Sequence, residues 1–186
     1  EEHINKPLNK IKVVFPGDVR NNMCYAWMIG AAKMGMHFVA LGPEKLAKEM
    51  DQALVSRVFA TARENGGLIE ITDNMNDLKG ADVIYGDIFA SMGEEDKMKE
   101  RAELLAPYRV TRQMLQKTEN PEVKYLHCLP SFHDFETKMA REWKEKGVDI
   151  REVEDEVFRS RHSVVFDEAE NRMHSIKAIL VATIGQ

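Results

Sequence analysis

Reactive side chains fall at three places in the sequence where an apolar run has just ended. After Val123 to Leu126 come His127, Cys128, Leu129 and Pro130. An imidazole and a thiol side by side offer a proton carrier and a soft donor or nucleophile. After Ala81 to Tyr85 come Gly86 and Asp87, then Ser91, Met92 and Gly93. After Lys12 to Phe15 come Gly17, Asp18, Arg20, Asn21, Asn22 and Met23. Carboxylate, amide, hydroxyl and thiol together suit a small zwitterion: amides take a carboxylate, and a carboxylate takes an ammonium. A fourth group lies near the end, Glu168-Ala169-Glu170-Asn171-Arg172. Acidic residues there complement a helix N-terminus, but Arg172 does not, and its planar fork suits an anion or a carbonyl oxygen.

Each feature also has a plain structural reading. Cys128 can be a buried small hydrophobe. Asp18 and Asn21 can shape a turn and cap a helix. Asp87 can be a turn residue, Ser91-Met92-Gly93 a surface loop, and His127 a satisfied core histidine. Adjacent His127 and Cys128 make no chelate by themselves, and the chain has no C-x-x-C or H-x-x-x-H, so no metal is expected. A cysteine hydrolase pairing Cys128 with His133 or His162 lacks an orienting Asn or Asp at recognisable spacing.

For three strand exits to meet, the strands must be parallel neighbours. The patterning supplies them. Lys12–Phe15, Met36–Leu41, Leu68–Ile71, Ala81–Tyr85, Val123–Leu126 and Val148–Ile150 read as six short strands. Helices are expected over Tyr25–Met34, from Pro43 to about Asn65, over Thr111–Lys117, Phe135–Lys146 and Phe166–Ile184, with a short helix or loop in Asp73–Gly80. Ala90–Arg101 reads as a long surface loop turning helical near Lys97. Strands alternating with helices imply an α/β, three-layer, Rossmann-like domain: a parallel sheet with helices on both faces. Ligands of such sheets bind beyond the carboxyl ends of the strands. Gly17-Asp18-Val19-Arg20-Asn21-Asn22 is not a G-x-G-x-x-G turn, so no dinucleotide or other cofactor is expected.

Composition narrows the function classes. The 186 residues suffice for one domain with a real core. Hydrophobic content of 44% with 31% charged residues describes a globular chain. A net charge of −5 argues against a nucleic-acid partner. No run of about 20 apolar residues is present, so no membrane span is expected. Two cysteines in unlike contexts, and no N-terminal signal pattern, suit a reducing, cytoplasmic setting, although a Cys24–Cys128 disulfide stays open. Residues 1–10 are a polar lead-in broken by Pro7, and Glu1 rather than Met opens the chain, which fits processing or a segment of a longer protein.

Four of these motifs together resemble the ornithine carbamoyltransferase family: Gly17-Asp18-x-Arg20-Asn21-Asn22-Met23, Asp87-x-x-x-Ser91-Met92-Gly93, His127-Cys128-Leu129-Pro130 and Glu168-Ala169-Glu170-Asn171-Arg172. They stand in the family's order and span nearly the whole chain. The related aspartate enzymes carry proline after the corresponding histidine, and putrescine-specific relatives lack the Ser-Met-Gly loop in this form. The resemblance covers only the second half of the family. The Ser-x-Arg-Thr loop and His-Pro-x-Gln motif that bind carbamoyl phosphate are not in this sequence. It implies that residues 1–186 are an isolated ornithine-binding domain, with 1–10 as inter-domain linker and 166–185 as a helix returning to a missing N-terminal domain. The stripe Ile176, Ile179, Leu180 and Thr183 would then be partly exposed.

The resemblance also implies roles. Asn22, Ser91 and Met92 hold the α-carboxylate and α-amine of L-ornithine, and Asp87 its amino groups. Cys128 contacts the δ-amine. The Leu129 carbonyl and Arg172 contact the carbamoyl group of carbamoyl phosphate. Cys128, Asp87 and Arg172 are thus the expected catalytic groups. Whether Cys128 acts as an orienting thiol or as a base is left open. Phe89 stands where the family often has tryptophan, and Tyr25-Ala26 where a serine is common; neither touches a ligand group. The parent enzyme is expected to be a homotrimer or a multiple of it, and the isolated domain inactive. The competing reading is a stand-alone module that binds a basic amino acid.

Overall fold

A computed structural model describes residues 2–90 and 95–184 of the chain, with only the backbone described at Glu95. Among these residues lies one parallel sheet of five strands in the order β3-β2-β1-β4-β5. The strands are β1 (Lys12–Pro16), β2 (His37–Leu41), β3 (Leu68–Thr72), β4 (Val83–Gly86) and β5 (Lys124–His127). β1 and β4 are continuous apolar runs because a parallel sheet is covered on both faces; Val14, Phe15, Ile84 and Tyr85 are all buried. The chain winds outward from β1 through β2 to β3, then returns to β4 and winds the other way to β5. With right-handed crossovers, that reversal puts the connecting helices on opposite faces. It also makes the gap between β1 and β4 the switch point, where ligand sites of open sheets form.

Helix α1 (Asn22–Met34) starts where Asn21 leaves β-type backbone and accepts the Met23 amide at 2.7 Å. It ends at Gly35, whose φ of 67° is left-handed and whose missing Cβ leaves room for the Asn65 carbonyl. The stretch after Pro43 is not one helix. It breaks into α2 (Glu44–Lys48) and α3 (Gln52–Glu64), because Asp51 caps a new start by accepting from the amides of Ala53 and Leu54. A 3₁₀ turn at Met75–Leu78 fills the expected short helix before β4. Beyond the undescribed residues come a 3₁₀ turn at Glu95–Lys97, α4 (Met98–Leu105), α5 (Arg112–Lys117), β5, α6 (Lys138–Glu145) and α7 (Asp155–Phe158). α6 begins later than the sequence pattern, at the Thr137 cap.

The sixth strand expected at Val148–Ile150 is not a strand. Arg109 takes the carbonyls of Asp149 and Arg151 with its guanidinium, so those acceptors bond to a side chain instead of a ladder. The position next to β5 is occupied instead by His162–Val164: Tyr125 donates to the His162 carbonyl at 2.7 Å, and Val164 donates to the Tyr125 carbonyl at 3.0 Å. Helix α8 (Val165–Ile184) follows directly. Only Val165 of it is buried. Phe166, Met173, Ile176, Ile179, Leu180, Val181 and Ile184 are exposed apolar side chains. The lead-in is stitched to the sheet by Asp82, buried beneath it, which accepts from Lys12 N at 3.0 Å and Lys6 Nζ at 2.6 Å. Cys24 and Cys128 are both free thiols, which closes the disulfide option.

Candidate functional site

The polar groups meet at the carboxyl ends of β1, β4 and β5. The β4–β5 register sets Gly86 opposite His127. The close approach requires glycine: a Cβ at Gly86 would stand 2.6 Å from the Tyr125 hydroxyl and 3.1 Å from His127 Cδ2. With no side chain there, Asp87 turns over the end of β5 and its Oδ1 accepts the Cys128 thiol at 3.3 Å and the Ile88 amide at 2.8 Å. Asp87 Oδ2 is buried and has no hydrogen-bond partner among the described residues. An isolated carboxylate oxygen away from water is costly unless something with a proton comes to it.

The electrostatics follow from this crowding. Loss of solvent raises the Asp87 pKa, against the lowering effect of the Cys128 and Ile88 hydrogen bonds. Cys128 is exposed as a residue, but its sulfur is crowded by protein atoms, and its pKa is pushed up to about 12 by that desolvation and by the negative fields of Asp87 and Glu168. Near neutral pH it is therefore a thiol that donates to Asp87, not a thiolate. Cys24, fully buried in the first turn of α1, is also raised well above the usual thiol range by burial, with Asp18 and Asp87 as its charged neighbours.

His127 is fixed from three sides. Its Nδ1 accepts the Leu129 amide at 2.9 Å. That nitrogen must carry the lone pair, so the proton of the neutral ring sits on Nε2. Nε2 faces Glu152 Oε1 at 3.2 Å, off line for a full hydrogen bond. The same Glu152 oxygen accepts Ser131 Oγ at 2.7 Å and the Phe132 amide at 2.6 Å. Glu152 is 2% exposed, and its backbone is clamped by Val110 N at 2.8 Å. One buried carboxylate thus ties down the turn that follows Cys128, in which Leu129 holds a left-handed φ of 47° before a cis Pro130. On the other side, the His127 amide donates to Glu168 Oε2 at 2.9 Å. Neither Glu152 nor Glu168 stood out in sequence for this purpose. Nothing local separates Glu152 from Glu154, Asp155 and Glu156, and Glu168 is sufficiently explained as a first-turn acid of α8.

Asp18 is buried at the β1 exit and held by Arg20 through Nε and Nη2 at 3.0 and 2.8 Å. Asn22 is exposed in the first turn of α1, on the same side of the sheet. Arg172 stands on α8 one turn beyond Glu168, exposed, its guanidinium without a partner among the described residues. Ser91 and Met92 lie outside the described residues. Neither His133 nor His162 hydrogen-bonds Cys128. His133 Nδ1 pairs with Asp155 at 2.7 Å, and His162 Nδ1 with the Val123 carbonyl at 2.9 Å. His133, Asp134 and Asp155 present ligand atoms within 4.8 Å of one another, but Arg159 already serves both carboxylates as counter-ion. Two grooves of about 560 and 590 Å³ do not include Cys128 in their walls; the first lies beside Val123, Arg112 and Arg161 at the opposite end of β5, and the second is lined by Trp27, Leu126 and Glu168. Among the described residues no helix is long and apolar enough to cross a membrane.

Residues 9–183 match the family model described as "Aspartate/ornithine carbamoyltransferase, Asp/Orn binding domain". The catabolic ornithine carbamoyltransferase of Clostridium perfringens strain 13 is 57% identical across the whole chain, which covers 56% of that protein. The ornithine carbamoyltransferase of Staphylococcus aureus strain Mu50 is 50% identical with the same coverage. Among solved structures, the Pyrococcus furiosus ornithine carbamoyltransferase superposes with a TM-score of 0.78 at 34% identity over 95% of this chain and 50% of that one. The chain therefore spans about half the length of the relatives it matches.

Proposed function

The chain belongs to the aspartate/ornithine carbamoyltransferase family, matching its Asp/Orn binding domain, and on that premise we propose that it is the L-ornithine-binding half of an ornithine carbamoyltransferase. The reaction is transfer of a carbamoyl group from carbamoyl phosphate to the δ-amine of L-ornithine, giving L-citrulline and phosphate. The observation that carries the reading is Asp87 Oδ2, buried without a partner among the described residues, beside the Cys128 thiol. A side-chain amine satisfies it. An aspartate substrate would bring a second carboxylate toward Asp87 and Glu168 and be repelled.

Roles follow from that fit. Asn22, Ser91 and Met92 hold the α-carboxylate and α-amine, and Asp87 Oδ2 receives the δ-ammonium. Cys128 donates its S–H to Asp87 and shapes the floor of the site, as its high pKa supports. The neutral δ-nitrogen attacks the carbonyl carbon, a C–N bond forms, and the C–O bond to phosphate breaks. The ammonium gives one proton to Asp87, whose pKa burial raises, in preference to a Cys128 that is already protonated, and the second leaves with the departing phosphate as the C–N bond forms. The Leu129 carbonyl and Arg172 hold the carbamoyl group. The groups that bind phosphate belong to the portion of the relatives that residues 1–186 do not span, with 1–10 leading from it and 166–185 returning to it. The intact enzyme is cytoplasmic and a homotrimer or a multiple of one.

Nuclear magnetic resonance titration of the chain with L-ornithine tests this. Shifts should concentrate at Asn22, Asp87 and Cys128, with millimolar affinity, and L-aspartate should not reproduce them. Citrulline should not form when carbamoyl phosphate is added. Absence of shifts at these residues refutes the ornithine site. Turnover by the chain alone refutes its being half of one. Micromolar binding of ornithine alone points to a stand-alone binding module instead.

A further inference from the structure

Helix α8 is joined to the site through one side chain. Glu168, in its first turn, is half-buried and reaches back to β5, where Oε2 accepts the His127 amide at 2.9 Å. The Tyr85 hydroxyl lies beside the same carboxylate. Tyr85 cannot move away: its ring stacks on Phe15 at 6.0 Å and meets Trp27 edge-on at 5.1 Å. One hydrogen bond and one neighbouring hydroxyl, from two adjacent strands, thus meet one carboxylate of a helix that otherwise buries only Val165. Arg172 lies four residues on, about 6 Å up the same helix face.

We infer that Glu168 is a positioning residue: seated between the His127 amide and the Tyr85 hydroxyl, its carboxylate holds helix α8, and Arg172 with it, in fixed register with Cys128, and sets a negative charge beside the thiol. The His127 amide and the Tyr85 hydroxyl favour the ionised form, against the burial that raises the Glu168 pKa. The titratable groups around Cys128 are Asp87 from the β4 exit, Glu168 from α8, and Tyr85 and Tyr125 from β4 and β5, with His127 and Asp18 beside Asp87. The first two oppose a thiolate. Glu168 therefore acts on the proposed site twice, through the geometry of Arg172 and through the protonation of Cys128. The Arg172 half of the inference rests on the proposed function; the Cys128 half stands without it.

The test uses no substrate, so it is separate from the fate of the ornithine reading. In a Cys24→Ala background, Cys128 is alkylated with iodoacetamide across mildly alkaline pH. Glu168→Gln keeps an oxygen for the His127 amide and removes the charge. It should lower the thiol pKa by about one unit, the low end of a neighbouring like charge, giving about tenfold faster alkylation at fixed pH. Glu168→Ala removes the acceptor as well. Hydrogen exchange at the His127 amide and at the amides of residues 169–173 should then quicken at least about tenfold, while amides of β1 and β2 stay protected. Alkylation of Glu168→Gln within twofold of its parent overturns the electrostatic half. Unchanged exchange in Glu168→Ala at His127 and residues 169–173 overturns the positioning half. If Glu168→Ala does not fold, the same exchange measured on Tyr85→Phe, which loses the neighbouring hydroxyl, decides it: quickening at residues 169–173 supports the register, and wild-type protection there refutes it.

Discussion

Replacing Glu152 by alanine should show how much one buried carboxylate holds. Its Oε1 accepts the Phe132 amide and the Ser131 hydroxyl at 2.6 and 2.7 Å and faces the His127 Nε2 proton. Hydrogen bonds to a charged group contribute about 1.5–3 kcal/mol each. Two of them give roughly 3–6 kcal/mol, with a third donor left facing a void. Against that, the carboxylate's own burial cost disappears, and Oε2 has no partner to lose. The net loss should be about 3 kcal/mol, a large share of the roughly 5–15 kcal/mol typical of a domain. At about 2–4 °C per kcal/mol for a chain of this size, Tm should fall by roughly 6–12 °C. Urea unfolding followed by circular dichroism gives the number, with an unchanged m-value showing that the denatured state is the same. Glu156→Ala is the internal control. Its partner Arg112 is 67% exposed and Glu156 62%, so their 2.8 Å ion pair should be worth less than about 1 kcal/mol. If Glu152→Ala costs less than about 1 kcal/mol, or no more than Glu156→Ala, Glu152 does not clamp the turn after Cys128.

Three further outcomes follow from the same geometry. Gly86→Ala should cost about 1–3 kcal/mol, because the added carbon meets the hydroxyl of a fully buried Tyr125 that has nowhere to swing; unfolding curves measure it. Asp87→Asn removes the negative charge that holds Cys128 as a thiol while keeping an oxygen to accept the S–H, so the pH at which Cys128 becomes alkylatable should move down from about 12, and a move upward would contradict the assigned cause. Ile176→Lys with Ile179→Lys, both on the exposed stripe of α8, should reduce self-association seen in sedimentation while changing stability by no more than about 0.5 kcal/mol.

The apolar runs and turn residues alone determined the α/β class, the five strands that form, the caps at Asn21 and Gly35, and the strand exits from which Asp18, Asp87 and His127–Cys128 emerge. These are legible because they depend on neighbours within a few residues: hydrophobic period, a side chain that can cap, a glycine that can turn left. The four motifs in order were enough to carry the family as well. What the sequence misplaced was decided by contacts far along the chain. Val148–Ile150 has a strand's composition, but the Arg109 guanidinium takes the Asp149 carbonyl and that of the following Arg151, and His162–Val164 takes the place beside β5. The helix after Pro43 breaks because Asp51 finds two amides to cap. Above all, the setting of Cys128 is tertiary. Its thiol is held protonated by Asp87, 41 positions away, and by Glu168, 40 positions away, while Glu152, 24 positions away, anchors its turn. Acidic residues look alike in a sequence; burial and the donors that fold against them make Asp87, Glu152 and Glu168 different from the solvated ones.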